Sequence, residues 1–470
     1  MRNYHRWAVL AGAAVLALSN VSVSMADVNG SGESMETAVT VSSPEDSGQA
    51  QASDGGVGQP GNPVDAQETL PQESAAPQPA ESTGTANRVI RVGDGQSSGT
   101  AADSQSAPSS EGGSGNSGVD YSQGPGFFNG SGSSQDPAQG GLTAQNGDIQ
   151  IFDVTNPVVK TMEKYSYDQM VQDINTLQQQ YSSRMHVNTI GTSLDGRAIY
   201  DCIIGNQAAP RHILIQGGIH GREYLNPMLL MQQMEMILVN YDTGSFHGNA
   251  LSAMFDQVAI HFVPMTNPDG VTISQFGIDG IRSQELKDTI STCYVMDSAA
   301  GRGGDLGTYL SRWKANARGV DVNLNFDALW AQVYSTAFPS YSGYKGAAPG
   351  SEPESQALMN LYSGQYPWKA VLHYHSMGDV IYWDIAGNKV QPESAQLANL
   401  MSVVTGGYRL LPSEGGGGYK DWIQLGNNPV PSVTLETGRV SCPIPVSEYP
   451  VIWAQNRLTW AYAMEWVMGR

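Results

Sequence analysis

The sequence of 470 residues has few charged residues, few cysteines and no apolar run long enough to span a membrane as a helix. Charged residues make up 14% of it, whereas typical soluble domains have about a quarter. Bases are scarcest, because 24 Lys and Arg face 44 Asp and Glu, which gives a formal net charge of −20. Proteins that bind nucleic acid need a basic surface for the phosphates. The charge balance therefore argues against a nucleic-acid partner.

Cysteine is present only at Cys202, Cys293 and Cys442. Three cysteines in this length are no disulfide scaffold, and an odd number leaves at least one thiol free or in an intermolecular bond. Cys442 precedes a proline and has no histidine near it in the sequence that could serve as its base. A buried structural thiol is the better interpretation of Cys442 than a nucleophile.

The first 26 residues predict a secretory signal peptide. Arg2 and Arg6 give a positive start, residues 8–18 form an apolar stretch of 11, and residues 24–26 suit a cleavage site. Eleven apolar residues are too few to cross a bilayer as a helix, so a retained anchor is the weaker alternative. We therefore expect a protein that is secreted or associated with the cell wall, with no stable membrane anchor after cleavage.

Residues 27–149 predict a disordered, acidic linker rich in Gly, Ser and Gln. They contain 16 acidic and two basic residues, three aromatic residues and no apolar periodicity. Such a segment cannot bury enough apolar surface to offset the entropy lost on ordering. Residues 150–470 contain 28 acidic and 20 basic residues and have the pattern of a globular domain.

Patterns typical of strands and helices alternate from about Ile149 onwards. Apolar spacing predicts a helix over 170–181 with Ser166 as its cap, a second over 223–239 and a final helix over 447–468. Strands are predicted at 187–190, 198–204, 212–215, 259–263, 370–374 and 432–435. This alternation favours one α/β domain over residues 150–470, with a mixed, mostly parallel, twisted sheet flanked by helices on both faces. Residues 284–312 look like an insertion without a recognisable motif.

Candidate metal ligands follow the buried strand at 212–215. His220 and Glu223 lie three residues apart, so both can meet one cation where the chain turns into the next helix. A neutral imidazole and a carboxylate suit Zn²⁺, which needs an open position for water when it is catalytic. The spacing also occurs by chance, and a helix cap is the alternative role for Glu223.

A third ligand is expected at the end of the strand at 370–374. His373 and His375 lie two residues apart, so a strand places both on one face of the sheet. Either histidine could complete the site, and a satisfied, partly buried histidine is the alternative for each one alone.

The order of these motifs resembles the zinc metallocarboxypeptidase family of the pancreatic carboxypeptidase type. His220-x-x-Glu223 is followed by His375-Ser376 at a strand end and by Glu436 on a later strand. The segments Asn267-Pro268-Asp269-Gly270 and Gly319-Val320-Asp321-Val322-Asn323 also fit. Three further segments are most similar to bacterial γ-D-glutamyl-L-diamino acid endopeptidases, which cut peptidoglycan stem peptides: 351–354, 374–376 and 381–383. The resemblance covers roughly residues 160–470.

This resemblance implies a set of site residues. It implies one Zn²⁺ per chain, with His220, Glu223 and His375 as ligands. It implies Asp321 as the carboxylate that orients the first histidine. Glu436 stands where the family has its catalytic glutamate, although a structural carboxylate at a strand end is the alternative.

Two positions depart from the family pattern. Leu324 follows Asn323, which matches the asparagine that helps hold the substrate's terminal carboxylate, and replaces the arginine that clamps this carboxylate. A leucine cannot make a bidentate contact to a carboxylate, so this departure favours endopeptidases. Lys314 follows Trp313 and replaces the arginine that stabilises the oxyanion, which makes it a second candidate catalytic residue.

The sequence therefore predicts a secreted zinc metallopeptidase that hydrolyses γ-D-glutamyl–diamino acid bonds in stem peptides. Its partner would be a peptide substrate, and neither nucleic acid nor a membrane is expected as a partner. Two alternatives remain: an ordinary carboxypeptidase that removes C-terminal residues, and a non-catalytic module that binds peptide or cell wall.

Overall fold

Ten strands lie within residues 148–470, the part of the chain that the structure, a computed structural model, describes. They are β1 (Met185–Thr192), β2 (Ala198–Ile204), β3 (Arg211–Gln216), β4 (Ser245–Phe246), β5 (Asn249–Ala250), β6 (Val258–Val263), β7 (Trp368–His375), β8 (Val380–Asp384), β9 (Arg409–Pro412) and β10 (Ser432–Glu436). Eight of them form one sheet in the order β1-β2-β6-β3-β7-β10-β8-β9, and β4 pairs with β5 in a separate hairpin.

The middle of the large sheet is parallel. The β6–β3, β3–β7 and β7–β10 pairs are parallel, as is β8–β9 at one edge. The β1–β2, β2–β6 and β10–β8 pairs are antiparallel. The predicted mixed, mostly parallel sheet is confirmed. Adjacent parallel strands end at the same edge of a sheet, which is where open α/β folds place their sites.

Eleven helices accompany these strands in the described residues. They are α1 (Tyr167–Gln180), α2 (Leu225–Asn240), α3 (Leu251–Gln257), α4 (Pro268–Phe276), α5 (Gln284–Ala299), α6 (Leu306–Ser311), α7 (Pro353–Tyr362), α8 (Gln391–Val404), α9 (Tyr419–Leu425), α10 (Tyr449–Asn456) and α11 (Thr459–Met468). Ser166 caps α1 as predicted, since its Oγ accepts a hydrogen bond from the Gln169 N–H at 3.1 Å.

Helices cover both faces of the sheet. Successive strand residues point to opposite faces, so Ile213 and Ile215 pack in a core with α1, α2, α8 and α11, whereas Leu214 packs on the other side with α7 and α9. The apolar run in β3 is explained by this burial on both faces.

Two predicted helices have different bounds in the structure. The helix expected over 223–239 begins at Leu225, because Gly221–Glu223 form a short 3-10 turn. The final helix expected over 447–468 is broken between α10 and α11. At the break, the carbonyl of Asn456 accepts hydrogen bonds from the side chains of Gln233 and Thr459. A periodic apolar pattern does not reveal a break that depends on such contacts.

Several predictions concern residues outside the described part of the chain. The signal peptide at 1–26 and residues 27–147 of the linker belong to this group. Within residues 148–470, no helix is both long enough and apolar enough to cross a membrane. The three cysteines all lie in this range, and all are unpaired.

Candidate metal centre

The chain between β3 and α2 carries the first two candidate ligands. After β3 it turns through Gly218, whose positive φ of 62° favours glycine. Gly221 then packs on the start of α4, where a Cβ atom would lie 2.2 Å from the carbonyl oxygen of Gly270. Only glycine permits this approach, and it holds His220 and Glu223 at the carboxyl edge of the sheet.

Strand β7 carries the third candidate to the same edge. It pairs with β3, with Gln216 opposite His373, so His375 extends past the end of β3. His375 Nδ1 lies 3.2 Å from His220 Nδ1 and 3.2 Å from Glu223 Oε2. His220 Nδ1 lies 2.9 Å from Glu223 Oε1. The structure therefore brings the three predicted ligands together, and all three are buried.

Asp321 determines which nitrogen of His220 faces this cluster. Its Oδ1 lies 3.1 Å from His220 Nε2, and an ionised carboxylate can only accept hydrogen bonds. Nε2 therefore carries a proton and donates it to Asp321, so Nδ1 is the nitrogen that faces Glu223 and His375 and that would bind a metal. The Gly343 N–H donates to Asp321 Oδ2 at 3.1 Å and fixes the carboxylate in turn.

Burial and close charges shape the pKa values here. Burial acts to raise the pKa of Glu223, but the charge of His220 and the hydrogen bonds from both histidines hold it well below its usual value. Burial would likewise raise the pKa of Asp321, but the charges of Lys314 and His220 keep it low. Both carboxylates are therefore ionised at neutral pH.

The donor set fits a zinc ion. Two imidazole nitrogens and a carboxylate converge on one point with their ligand atoms within 4.8 Å of one another. Nitrogen and oxygen donors of this kind, three from the protein, are typical of catalytic zinc. The residue at the N-cap of α2 is Tyr224, whereas the carboxylate of Glu223 contacts His220, His375 and the Ser376 N–H.

Comparison with known families agrees with this geometry. The family profile described as zinc carboxypeptidase matches residues 170–441, which is more than half of the chain. The chain belongs to the zinc carboxypeptidase family. It is a zinc metallopeptidase, and this assignment argues against the alternative of a non-catalytic binding module.

Individual relatives show how far the similarity extends. A γ-D-glutamyl-L-diamino acid endopeptidase 1 of Lysinibacillus sphaericus is 29% identical over 302 residues, which is 63% of this chain and 72% of that protein. Mouse carboxypeptidase A6 is 24% identical over 233 residues, or 48% of this chain and 47% of that protein. The crystal structure of thrombin activatable fibrinolysis inhibitor superposes with a TM-score of 0.51 at 18% identity, over 67% of this chain and 78% of that one. At this identity the superposition shows a shared fold only.

Glu436 ends strand β10 beside the metal ligands. It is the cross-strand neighbour of His375, so their side chains share one face of the sheet. Burial raises the pKa of Glu436 to about 7, against a lowering by the charge of His375. Within the described residues its carboxylate makes no hydrogen bond or ion pair, which leaves it free to accept a proton.

Lys314 approaches the same cluster from the loop after α6. Its backbone carbonyl accepts a hydrogen bond from the Gly221 N–H at 3.1 Å, next to His220. Its positive charge lowers the pKa values of Asp321 and Glu436, although burial opposes this in both cases. The charge of Lys314 is therefore near enough to act on the candidate base, in the same part of the site.

Asn323 and Leu324 lie in the 3-10 turn Val322–Leu324 directly after Asp321. Asn323 Oδ1 accepts a hydrogen bond from the Tyr419 N–H at 3.1 Å. This contact orients the side chain so that its Nδ2 group remains available as a donor. The backbone of Leu324 lies close to Gly417, in the glycine-rich loop before α9.

Three further residues lie in or next to the site. His373 Nδ1 contacts Gln216 Oε1 at 3.3 Å and takes no part in the ligand cluster. Arg222, which sequence reasoning did not select, lies between two ligands, and its charge acts on the pKa of Glu436. The position of Arg222 between His220 and Glu223 in the sequence is the feature from which its presence in the site could have been predicted. Cys442 is close enough to Glu223 to be affected by its charge, and burial raises the pKa of the thiol, so it stays protonated.

Proposed function

We propose that this zinc metallopeptidase hydrolyses the amide bond between γ-D-glutamate and a diamino acid in peptidoglycan stem peptides. The observation that carries this proposal is Leu324, which occupies the position next to Asn323 where carboxypeptidases of the family have an arginine. The endopeptidase of Lysinibacillus sphaericus, whose name describes this bond, supports it at 29% identity.

Leu324 bears on specificity because of what a C-terminal exopeptidase must bind. A free α-carboxylate is held most strongly by a charge-assisted, bidentate contact to arginine. Asn323 can offer only neutral hydrogen bonds, worth about 0.5–1.5 kcal/mol net. Arg318, which is near in sequence, forms an ion pair with Glu352 at 3.3 Å. Substrate binding then depends on other groups, such as the carboxylates of D-glutamate and the diamino acid.

The residues of the site divide the proposed chemistry among them. His220, Glu223 and His375 would hold zinc, which when bound lowers the pKa of water and polarises a carbonyl. Glu436 accepts a proton from the attacking water on its carboxylate and returns it to the leaving amine. Lys314 stabilises the negative charge that develops on the carbonyl oxygen of the scissile bond.

We also propose that the protein acts outside the cytoplasm, where its substrate is found. The positive start, short apolar stretch and small residues of 1–26 support export. The acidic composition of 27–149 supports a linker between the export signal and the peptidase domain.

Mass spectrometry of reaction products tests the proposed specificity. The substrates are a stem peptide with γ-linked D-glutamate, the same peptide with the α-linkage, and a panel of ordinary peptides with free or amidated C-termini. We expect cleavage between D-glutamate and the diamino acid of the γ-linked peptide only, with Glu436→Gln protein as the inactive control. Efficient removal of single C-terminal residues from the panel, with the stem peptide left intact, would show that the enzyme is an ordinary carboxypeptidase.

A further inference from the structure

Asp297 is a buried carboxylate on α5, within the insertion at 284–312. Tyr309 Oη donates a hydrogen bond to its Oδ2 at 2.8 Å, and Ser340 Oγ lies 2.8 Å from the same atom. The Tyr341 N–H donates to Oδ2 at 3.2 Å, and the guanidinium of Arg302 binds Oδ1. Four donors from three segments of the chain thus converge on one side chain.

Asp297 is hydrogen-bonded to Ser340 and Tyr341, at the start of the segment 340–344. This segment in turn makes hydrogen bonds to two residues next to the metal ligands. The Tyr341 carbonyl accepts hydrogen bonds from the backbone N–H groups of Lys314 at 2.9 Å and Ala315 at 3.0 Å. Two residues later, the Gly343 N–H donates to the carboxylate of Asp321, and the Asp321 N–H donates to the Tyr344 carbonyl at 2.7 Å.

Both of these residues reach His220. Asp321 accepts the hydrogen bond from His220 Nε2. The carbonyl of Lys314 accepts one from the N–H of Gly221, the residue after His220. Hydrogen bonds joined by short stretches of backbone therefore connect Asp297 with a metal ligand and with the candidate oxyanion-stabilising lysine.

A carboxylate is the group that this position requires. All four partners are donors, and an ionised carboxylate offers only acceptor sites. An asparagine of the same size would turn an NH₂ group towards at least one of these donors. The guanidinium of Arg302 places a compensating positive charge against the buried carboxylate of Asp297.

We propose that Asp297 is a positioning residue for Lys314 and Asp321, acting through the segment 340–344. The insertion thereby contributes to catalysis without touching substrate or metal. The kinetic part of this proposal rests on the proposed role of Lys314, whereas its metal-binding part does not.

Asp297→Asn is the test variant, and Asp288→Asn is its matched control. Asp288 lies on the same helix and is exposed, and within the described residues its carboxylate accepts a hydrogen bond only from Gln284. We expect Asp297→Asn to weaken zinc binding by several-fold, less than the 10–100-fold typical of a direct partner of a ligand. It should also lower kcat by about tenfold with KM within twofold, because the lysine is displaced by a fraction of an ångström. Asp288→Asn should change neither quantity.

Combining Asp297→Asn with a second substitution distinguishes an effect on the position of Lys314 from a general loss of stability. In Lys314→Ala protein assayed at saturating zinc, Asp297→Asn should lower kcat no further, since the kinetic part of the proposal acts through Lys314. The same tenfold loss in both backgrounds would overturn the proposal, as would values equal to those of Asp288→Asn. Ser340→Ala, which removes one donor, replaces Asp297→Asn if that variant does not fold. Kinetics use whichever peptide the wild type cleaves; if it cleaves none, the proposed function fails and zinc competition titration alone decides.

Discussion

Asp321 Oδ1 lies 3.1 Å from His220 Nε2, although 101 positions separate the two residues in the sequence. This contact fixes the imidazole so that Nδ1 faces Glu223 and His375. Partners of this kind raise the basicity of a metal-binding histidine and prevent its ring from turning. The orientation of His220 in the ligand cluster therefore depends on Asp321, which is not itself a ligand.

Replacing Asp321 with Asn should weaken zinc binding by about 10–100-fold, the range found when partners of metal ligands are removed. The amide can accept through only one oxygen and carries no charge to favour His220 as a donor. Competition against a chelator with known zinc affinity measures the change. Asp327→Asn, at an exposed position on the same loop, is the control and should bind zinc as the wild type does.

Metal content should distinguish the two histidines of β7. We expect His375→Ala protein to lose zinc, because it lacks one of three converging ligands. His373→Ala protein should retain close to one zinc per chain, as measured by elemental analysis after dialysis. Full occupancy in the first variant together with loss in the second would contradict the ligand assignment.

Replacing Glu436 with Gln should abolish peptide hydrolysis and leave zinc content and thermal stability near those of the wild type. An amide of the same size cannot take up the proton of the attacking water. Single-turnover assays at high enzyme concentration measure any residual activity. Comparable turnover in this variant would exclude the proposed role as general base.

Replacing Leu324 with Arg should shift specificity towards peptides with a free C-terminal carboxylate. The guanidinium can make the bidentate contact that leucine cannot. The ratio of kcat/KM for a C-terminal-residue peptide to that for the γ-linked stem peptide should rise by at least tenfold. Leu324→Gln, which is polar but uncharged, should give a much smaller change; equal changes would point to pocket size in place of charge.

A buried histidine away from the metal centre should make stability depend on pH. His212 Nδ1 lies 2.8 Å from His261 Nε2, and His261 Nδ1 contacts Asp201 at 2.9 Å. Burial and the charge of His261 lower the pKa of His212 from 6.5 to about 4. Between these pH values the unfolded chain binds a proton that the folded chain does not, so stability falls as the pH is lowered.

The His212→Phe variant tests this dependence. The full contribution of His212 is on the order of 3 kcal/mol, lost between pH 6.5 and 4. The difference in unfolding free energy between pH 7 and pH 4.5, from urea titrations, should be smaller in the variant than in the wild type. His186→Phe, at a part-exposed position on β1, should keep the wild-type difference. Equal slopes in all three proteins would contradict the assignment.

The sequence predicted most of the fold because burial leaves a periodic pattern. The two-sided apolar run of β3 and the cap at Ser166 are local signals, and both are found in the structure. The ligands were recognisable because His220, Glu223 and His375 lie within short motifs at strand ends. Choosing His375 over His373 from residues alone was not possible, since both share one face of β7.

Other features could not be predicted because they depend on distant partners. The break between α10 and α11 depends on Gln233, which lies more than 200 positions earlier. Asp297 has no motif of its own, and its role becomes visible only through Ser340, 43 residues later in the chain. Such contacts follow from tertiary packing, which local sequence patterns do not encode.

The pairing of β7 between β3 and β10 has a consequence for the order of events during folding. His220 and His375 lie 155 positions apart and come into contact because β3, which precedes His220, pairs in parallel with β7, which ends at His375. This pairing closes a long loop. Non-local pairing of this kind forms slowly and late. A nascent chain therefore has no complete ligand cluster until the centre of the sheet is assembled. Zinc is then expected to bind late in folding, when most of the domain is already in place.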